Sequence, residues 1–370
     1  MLIDFLSIIP DERQISKVQH PLITILFTAI VSTIAGCDDW EDMEDFVSEK
    51  QEWFEKYVEF PNGIPSHDTY ERVFRWVNPK IFMQSFLDWT TMVQAVVKGS
   101  VVAIDGKTMR GTADDVTGKK ALHIVSAWCS ETGLVLGQVK TREKSNEITA
   151  IPDLLDILNV TGCIVTIDAM GTQTKIAEKI IKAKADYVLA LKGNQETLHN
   201  EVIEFFENAD NDKYLEDHQI KTHKEITKGH GRNEIREAFI TSDIKWMVDA
   251  KKNWKNLKSV GMVKYQREES GQVTTEKRYF ICSIDDNPEK FSHIVRKHWG
   301  IESMHWVLDV VFNEDSKRIR KDNGPENLSV LLKFAYNYLR KDTTPRKSLR
   351  RKRFKASIST SYLEKILNLI

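Results

Sequence analysis

The first 95 residues carry apolar positions at helical spacing. A continuous apolar run covers residues 21–36, and after it Trp40, Met43 and Val47 recur at intervals of three or four. The run is shorter than the ~20 residues that a membrane-spanning helix needs, so it predicts a buried helix in a cytoplasmic protein. The whole pattern predicts an all-helical N-terminal domain over residues 1–95.

A turn sequence divides this helical region. Pro61, Asn62, Gly63 and Pro65 favour a turn, and Ser66 is a candidate N-cap for the helix that follows. Helix, turn and helix together are a common DNA-binding arrangement, but small helical domains are ordinarily built in the same way. DNA contact by this domain is therefore one of two open interpretations.

Near residue 98 short apolar runs replace the helical spacing. They predict strands, and the amphipathic segments between them predict helices: strands at 100–105, 121–129, 133–140, 163–169 and 186–192, and helices at 147–158, 172–183 and 195–208. Three strands followed by alternating helices and strands are typical of an α/β sheet that is partly antiparallel and partly parallel.

A second strand-rich segment follows, and the pattern then becomes helical again. Residues 221–283 contain strand-like runs, and the segment from Pro288 to Val311 predicts one continuous helix. We therefore predict a second domain over residues 98–340 that contains a β-rich segment at about 210–285.

The net charge of −1 hides two oppositely charged segments. Residues 38–55 are strongly acidic, and residues 340–355 are strongly basic. We predict that residues 341–370 form a basic tail whose 342–356 segment is a mobile arm. The arm either grips DNA backbone or only solubilises the protein, and its candidate DNA contacts are Arg350, Arg351, Lys352 and Arg353. The four scattered cysteines form no CxxC metal motif and are predicted to be buried, reduced thiols.

Two of the predicted strands end on an aspartate. VVAID ends at Asp105, and IVTID ends at Asp168. An acidic residue is costly inside a buried strand, but at the strand's C-terminal end it reaches the crevice where α/β folds place their sites. If the two strands are neighbours, the carboxylates converge. The alternative is that each aspartate caps the following helix.

The predicted late helix carries a polar stripe. His298, Glu302, His305 and Asp309 are separated by four, three and four positions, so they share one face of an otherwise apolar helix. Either this face is simply exposed, or a metal site provides its partner. Converging carboxylates repel one another unless a cation lies between them, and hard oxygen ligands suit Mg²⁺ or Mn²⁺.

Four motifs occur in and after these elements: IDGKT at 104–108, IDAMGTQ at 167–173, ALKGNQ at 190–195 and HWGIESMHWVLDVVFNED at 298–315. Together they resemble the DDE-class transposases of bacterial insertion sequences, in particular the H-repeat-associated subgroup. The resemblance extends from the first helices to about residue 340. It implies an α/β fold with a ribonuclease-H-like catalytic core, a β-rich insertion and an N-terminal all-helical domain.

The resemblance also implies the chemistry. Asp105, Asp168 and Glu302 are the expected catalytic residues and the expected ligands of two Mg²⁺ or Mn²⁺ ions, which would serve phosphodiester cleavage and strand transfer. The expected partners are double-stranded DNA, as terminal inverted repeats and target DNA, and a second copy of the chain. The expected location is the cytoplasm, at the nucleoid.

The chain departs from the Tyr-Arg-Glu-Lys signature that the broader group carries around its Glu. Val295 and His298 stand at the Tyr and Arg positions, and Asp309 stands at the Lys position. Arg296, Lys297 and His305 are candidate replacements as DNA contacts, and His298 itself is a further candidate. Asp309 is a second candidate for the third metal ligand, after Glu302. Other candidate DNA contacts near the motifs are Lys107, Lys192 and Arg232, although the turn that carries Arg232 is equally typical of an ordinary exposed β-turn.

Two other functions stay open at this point. One is a metal-dependent nuclease of the same fold that cuts without strand transfer. The other is an inactive element remnant that only binds DNA. A Rossmann-type dehydrogenase is disfavoured because no GxGxxG motif follows the first strand.

Overall fold

The computed structural model describes residues 2–93, 97–114, 116–141, 147–229, 232–269, 272–343 and 347–368, without the side chains of Gly229 and Arg232. Within these residues, an N-terminal group of helices precedes a large mixed sheet with helices packed on it. The predicted α/β class and helical N-terminal region are confirmed.

Helices make up the N-terminal region. They are α1 (Leu2–Leu6), α2 (Leu22–Ala35), α3 (Trp40–Glu49), α4 (Gln51–Phe54), α5 (His67–Trp76) and α6 (Pro79–Val93). Helix α2 is buried along almost its whole length because it is apolar on every side. It ends at Gly36, whose φ of 107° lies in the left-handed region that favours glycine. Asp39 caps α3 by accepting a hydrogen bond from the backbone N–H of Asp42.

The strands follow the predicted positions closely. In chain order they are β1 (Val101–Met109), β2 (Leu122–Cys129), β3 (Leu134–Thr141), β4 (Ile164–Ile167), β5 (Asp186–Leu191), β6 (Lys221–Gly229), β7 (Arg232–Thr241), β8 (Ser259–Glu269) and β9 (Gln272–Cys282). Their order across the sheet is β3-β2-β1-β4-β5-β9-β8-β7-β6. Strand β1 runs antiparallel to β2 and parallel to β4, and β4 runs parallel to β5.

The predicted β-rich insertion continues this sheet. Strands β6 to β9 pair antiparallel with one another, and β9 pairs antiparallel with β5. The described residues of this insertion also contain two short helices, α10 (Asp212–Asp217) and α11 (Val248–Asn253).

Helices cover both faces of the first five strands. Helices α7 (Glu147–Ile157), α8 (Thr174–Lys182) and α9 (Glu196–Phe206) contribute to one core with Val102 and Ile104 of β1. The opposite face, which includes Val101, packs against helix α12 (Pro288–His298). Burial on both faces explains why these strands are almost continuously apolar.

The predicted single helix over 288–311 is wrong. Two helices occupy this segment, α12 and α13 (Gly300–Val310), and they are separated at Trp299. The ψ angle of Trp299 is −10°, which departs from regular α-helical geometry. Gly300 lies so close to the Trp128 ring of β2 that a Cβ atom there would overlap it. The break therefore lies where Gly300 packs against the Trp128 ring of the sheet.

The C-terminal region is helical, with α14 (Gly324–Lys341), α15 (Leu349–Ile358) and α16 (Thr360–Asn368). Helix α14 is buried and packs against α2, α5 and α6. The prediction of a mobile arm over 342–356 is wrong for residues 349–356, which lie in α15, whereas residues 344–346 lie outside the described part of the chain. Lys352 and Arg353 are both buried.

All four cysteines are buried and free of disulfides, as predicted. Among the described residues, no single helix has the length and apolar character to cross a membrane. The α2 and α3 pair, bent by 95°, meets that criterion by length and composition only.

Candidate active site

Asp105 and Asp168 lie next to each other at one edge of two parallel strands. Ile104 of β1 is paired with Ile167 of β4, so Asp105 and Asp168 follow directly on adjacent strands. Strand β4 ends at Ile167, whereas β1 continues alongside β2, and this leaves the edge beyond Asp168 open. Neither aspartate is the N-cap of a helix, because Asp105 lies within β1 and Gln173 precedes α8. The capping alternative is therefore wrong.

Glu302 reaches the same edge from α13, which packs against β1. Burial raises the pKa of Asp168, and the nearby charges of Asp105 and Glu147 raise it further. Burial likewise raises the pKa of Glu302, again with a contribution from the charge of Asp105. The Asp105 carboxylate thus acts on both of the other acids. Asp105 and Asp168 therefore follow adjacent strands, and Glu302 lies on the helix packed against β1; their joint role in one site stays a prediction.

Two histidines of the predicted polar stripe adjoin these acids. The Nδ1 atom of His305 lies 3.5 Å from Oδ2 of Asp105. The Nδ1 atom of His298 lies 2.9 Å from Oγ1 of Thr166 on β4. Burial lowers the pKa of His298 to about 4, although Asp105 acts in the opposite direction. The predicted DNA contact by His298 stays a prediction.

Lys107 is engaged by acidic side chains of the protein itself. Its Nζ lies 2.6 Å from Oδ1 of Asp309, 2.6 Å from Oε2 of Glu314 and 3.2 Å from Oδ1 of Asp315. Burial alone would lower the pKa of Lys107, but Glu314 and Asp309 raise it above its usual value. The expected phosphate contact by Lys107 is therefore corrected to a bridge between β1 and the C-terminal end of α13.

A buried histidine–glutamate pair supports the strand that carries Asp105. The Nε2 atom of His123 lies 2.6 Å from Oε1 of Glu147, and its Nδ1 lies 2.8 Å from Oγ1 of Thr108. Gly106 packs directly on this pair, because a Cβ atom there would overlap both side chains. Glycine after Asp105 thus allows β1 to approach the pair closely. Sequence analysis did not single out His123 or Glu147.

A pocket of about 200 Å³ opens beside Asp168. Its lining includes Asp168, Lys192, His298, Trp299 and Arg278. Lys192 is exposed there, at the position where the motifs predicted a DNA contact. Arg278 comes from β9 of the insertion, and the sequence analysis missed it because a lone arginine in an exposed strand carries no distinctive pattern.

The other predicted DNA contacts have different surroundings. Arg296 is largely exposed on α12, with Nη1 3.3 Å from Oε2 of Glu225. The side chain of Arg232 lies outside the described part of the structure.

The basic tail divides into two pairs of side chains. Arg350 and Arg351 are exposed. Lys352 donates to the carbonyl of Leu339 at 3.1 Å, and Arg353 lies 3.0 Å from Asp38, so this pair serves internal contacts instead of the expected DNA contacts.

Oxygen donors of three carboxylates, two with raised pKa values, match the chemistry that Mg²⁺ or Mn²⁺ requires. In the described residues, no three or more His, Cys, Asp or Glu side chains are arranged so that they could hold a metal ion.

Comparisons with known proteins agree along the whole chain. Residues 3–90 match the family described as DDE_Tnp_1-associated, and residues 97–338 match the family described as Transposase DDE domain. "Putative transposase YncI" of Escherichia coli O157:H7 is 42% identical over 99% of this chain and 94% of its own length. "H repeat-associated putative transposase YhhI" of Escherichia coli strain K12 is 40% identical over 99% of this chain and 97% of its own length.

Among solved structures, a piggyBac transposase synaptic complex with hairpin DNA aligns with 99% of this chain and 77% of its own chain. The TM-score is 0.46 and the sequence identity is 12%.

Proposed function

Because the chain belongs to the DDE transposase family, we propose that it cuts phosphodiesters at the ends of an insertion sequence and transfers the freed strands to target DNA. Asp105, Asp168 and Glu302 are the proposed catalytic residues. The observation that supports this proposal is the position of Asp105 and Asp168 directly after paired residues of β1 and β4, with α13, which carries Glu302, packed against β1.

The proposed architecture of the core is ribonuclease-H-like. Two features support it: the order β3-β2-β1-β4-β5 with β1 antiparallel to β2, and the parallel pairing of β1, β4 and β5. The first acid lies on the first strand, the second follows the fourth strand, and the third lies on a helix after the insertion. This is the arrangement that the family motifs imply.

Each side chain has a defined task in the proposed reaction. Asp105, Asp168 and Glu302 would hold two divalent cations, which supply a polarised attacking oxygen and stabilise the leaving one. Gly106 and the His123–Glu147 pair hold the β1 backbone at Asp105, and His305 faces the Asp105 carboxylate. The bridge from Lys107 to Asp309 fixes α13, and with it Glu302, against β1.

The proposed partners are the terminal inverted repeats, target DNA and a second copy of this chain, at the nucleoid in the cytoplasm. The exposed cations Lys192, Arg296, Arg350 and Arg351 support a contact with the phosphate backbone. The helical region over 1–95 is proposed to contribute to DNA binding, and residues 98–340 to form the catalytic domain.

A strand-transfer assay tests this function. Overlapping duplexes that tile the DNA on both sides of the gene are incubated in pairs with the protein, a supercoiled plasmid and Mg²⁺. We expect cuts at one defined position in each flank and joined products in the plasmid. Cuts without joined products would identify a nuclease, and the absence of both would contradict the proposed function.

A further inference from the structure

The guanidinium of Arg278 makes cation–π contacts with aromatic rings from two parts of the fold. Its Cζ atom lies 4.1 Å from the ring centroid of Trp299, at the junction of α12 and α13. It lies 5.3 Å from the ring centroid of Tyr265 on β8. Stacking of this kind fixes the plane of the guanidinium and attracts its charge. Arg278 is therefore oriented in advance of any ligand.

One edge of this guanidinium is already used. Its Nε lies 2.7 Å from Oε1 of Glu276, and its Nη2 lies 3.1 Å from Oε2 of the same carboxylate. Its Nη1 atom has no hydrogen-bond partner among the residues that the structure describes. The side chain is 28% exposed and lines the pocket beside Asp168. The Nη1 group of Arg278 is thus an available N–H donor at the pocket.

Arg278 shares the pocket lining with Asp168, and its charge acts on Glu302. Its positive charge lowers the pKa of Glu302, against the stronger effect of burial, and it helps to keep His298 neutral. Arg278 itself lies on β9, a strand of the insertion.

We propose that Arg278 binds a non-bridging oxygen of the DNA phosphate that is cut beside Asp168. This inference rests on the proposed function and adds to it a catalytic residue from the β-rich insertion. A planar guanidinium with its donors on a fixed edge suits phosphate better than a flexible ammonium does. Charge that develops on the phosphate during the reaction is then stabilised by a donor already in place.

The test compares Arg278 with a matched arginine of the same insertion. Arg236 on β7 also lies over Tyr265, at 5.8 Å from the ring centroid, and pairs with Glu225 at 3.5 Å. It does not belong to the described lining of the pocket beside Asp168. Full-length wild type, Arg278→Ala, Arg278→Lys and Arg236→Ala proteins are assayed for the rate of strand cutting on the flanking duplex that wild type cuts.

We expect Arg278→Ala to cut about a hundredfold more slowly, as for the loss of one donor to a transition-state oxyanion. Arg278→Lys keeps the positive charge near Trp299 but loses the planar set of guanidinium donors. Its cutting rate should therefore lie between those of Arg278→Ala and wild type. Arg236→Ala should cut at the wild-type rate. Equal rates for Arg278→Ala and Arg236→Ala would overturn the proposal.

A binding measurement separates this role from a structural one. The same duplex is made with a phosphodiester or an uncharged methylphosphonate at the cut position, and its affinity is measured by fluorescence anisotropy in EDTA. Wild type and Arg236→Ala should bind the methylphosphonate duplex about tenfold more weakly, the equivalent of one charge-assisted hydrogen bond. Arg278→Ala should bind both duplexes equally.

If Arg278→Ala still binds the methylphosphonate duplex more weakly than the phosphodiester duplex, by the same factor as wild type, the proposed contact is contradicted. If circular dichroism shows that Arg278→Ala does not fold, the Arg278→Lys protein tests the contact instead. Its loss of affinity for the methylphosphonate duplex, relative to the phosphodiester duplex, should also be smaller than that of wild type. Failure of this inference is distinguishable from failure of the proposed function. If only this inference fails, wild type cuts the flanking duplex and the Arg278 variants cut it at the same rate. If the proposed function fails, wild type cuts no flanking duplex.

Discussion

Individual side chains near the three acids show how the site is supported. Lys107 follows one predicted strand, Lys192 ends another, and the sequence predicts a phosphate contact for both. In the structure Lys107 is surrounded by Asp309, Glu314 and Asp315, whereas Lys192 is exposed at the pocket. Sequence separation explains the difference, because the partners of Lys107 lie some two hundred positions away and no local pattern reveals them.

Substitution of these two lysines separates their roles. Lys107→Ala leaves three carboxylates without their shared cation, so we expect the free energy of unfolding to fall by about 3 kcal/mol. Lys192→Ala should change it by less than about 0.5 kcal/mol and should weaken DNA binding. Urea unfolding and fluorescence anisotropy measure the two effects. A Lys107→Ala protein of wild-type stability that binds DNA poorly would show that the assignment is wrong.

Lys333 gives a pH-dependent prediction. This lysine of α14 is buried, and its Nζ donates to Oγ of Ser329 at 2.8 Å. Burial lowers its pKa to about 8 from 10.5. Between these values the unfolded chain binds the proton and the folded chain does not, so this residue's contribution to stability rises as pH increases.

Lys333→Met removes that dependence. Below pH 8 the wild type carries a buried charge, so the variant should be the more stable protein. From pH 8 to 10.5 the free energy of unfolding of wild type should rise by on the order of 3 kcal/mol relative to that of the variant. Urea unfolding of both proteins across this range measures the difference. A difference that stays constant with pH would show that Lys333 does not titrate as described.

At the scale of elements, the strands were predictable and the helix breaks were not. Apolar runs such as VVAID and IVTID indicate strands because both faces of the sheet are covered. The segment 288–311 looked like one helix because Trp299 and Gly300 keep the apolar spacing on both sides of the break. The break depends on Trp128 of β2, which lies far away in sequence. Arg278 was missed for the same reason, since its ring partners come from other elements.

The contact between Gly300 and Trp128 makes a clear prediction about α13. Helix propensity alone favours alanine over glycine by about 1 kcal/mol inside a helix. Here the added methyl group would overlap the Trp128 ring, so we expect Gly300→Ala to lose about 1–3 kcal/mol of stability and to slow strand cutting by displacing Glu302. Thermal unfolding and the cutting assay measure both effects.

Gly193→Ala is the matched control, because a Cβ atom at that position meets nothing within 4 Å. It should retain wild-type stability and activity. If Gly300→Ala is instead as stable and active as Gly193→Ala, the packing of α13 on Trp128 does not position Glu302.

For the molecule as a whole, the two oppositely charged segments meet. Arg353 of the basic tail lies 3.0 Å from Asp38 of the acidic segment, and Lys317 lies 3.7 Å from the same carboxylate. Helix α14 shares a core with the N-terminal helices. A run of basic residues predicts a disordered arm only when no acidic partner folds against it, and the linear sequence does not show that partner. The ends of the described chain therefore act together as a support for the sheet.

We propose that Asp105, Asp168 and Glu302 carry out DNA cutting. The most direct measurement is strand cutting by Asp168→Asn on the flanking duplex, with DNA affinity and thermal unfolding measured on the same protein. We predict a rate lowered at least about a thousandfold, or about 4 kcal/mol of barrier, with wild-type affinity and folding. Cutting at the wild-type rate by a folded Asp168→Asn protein would contradict the account.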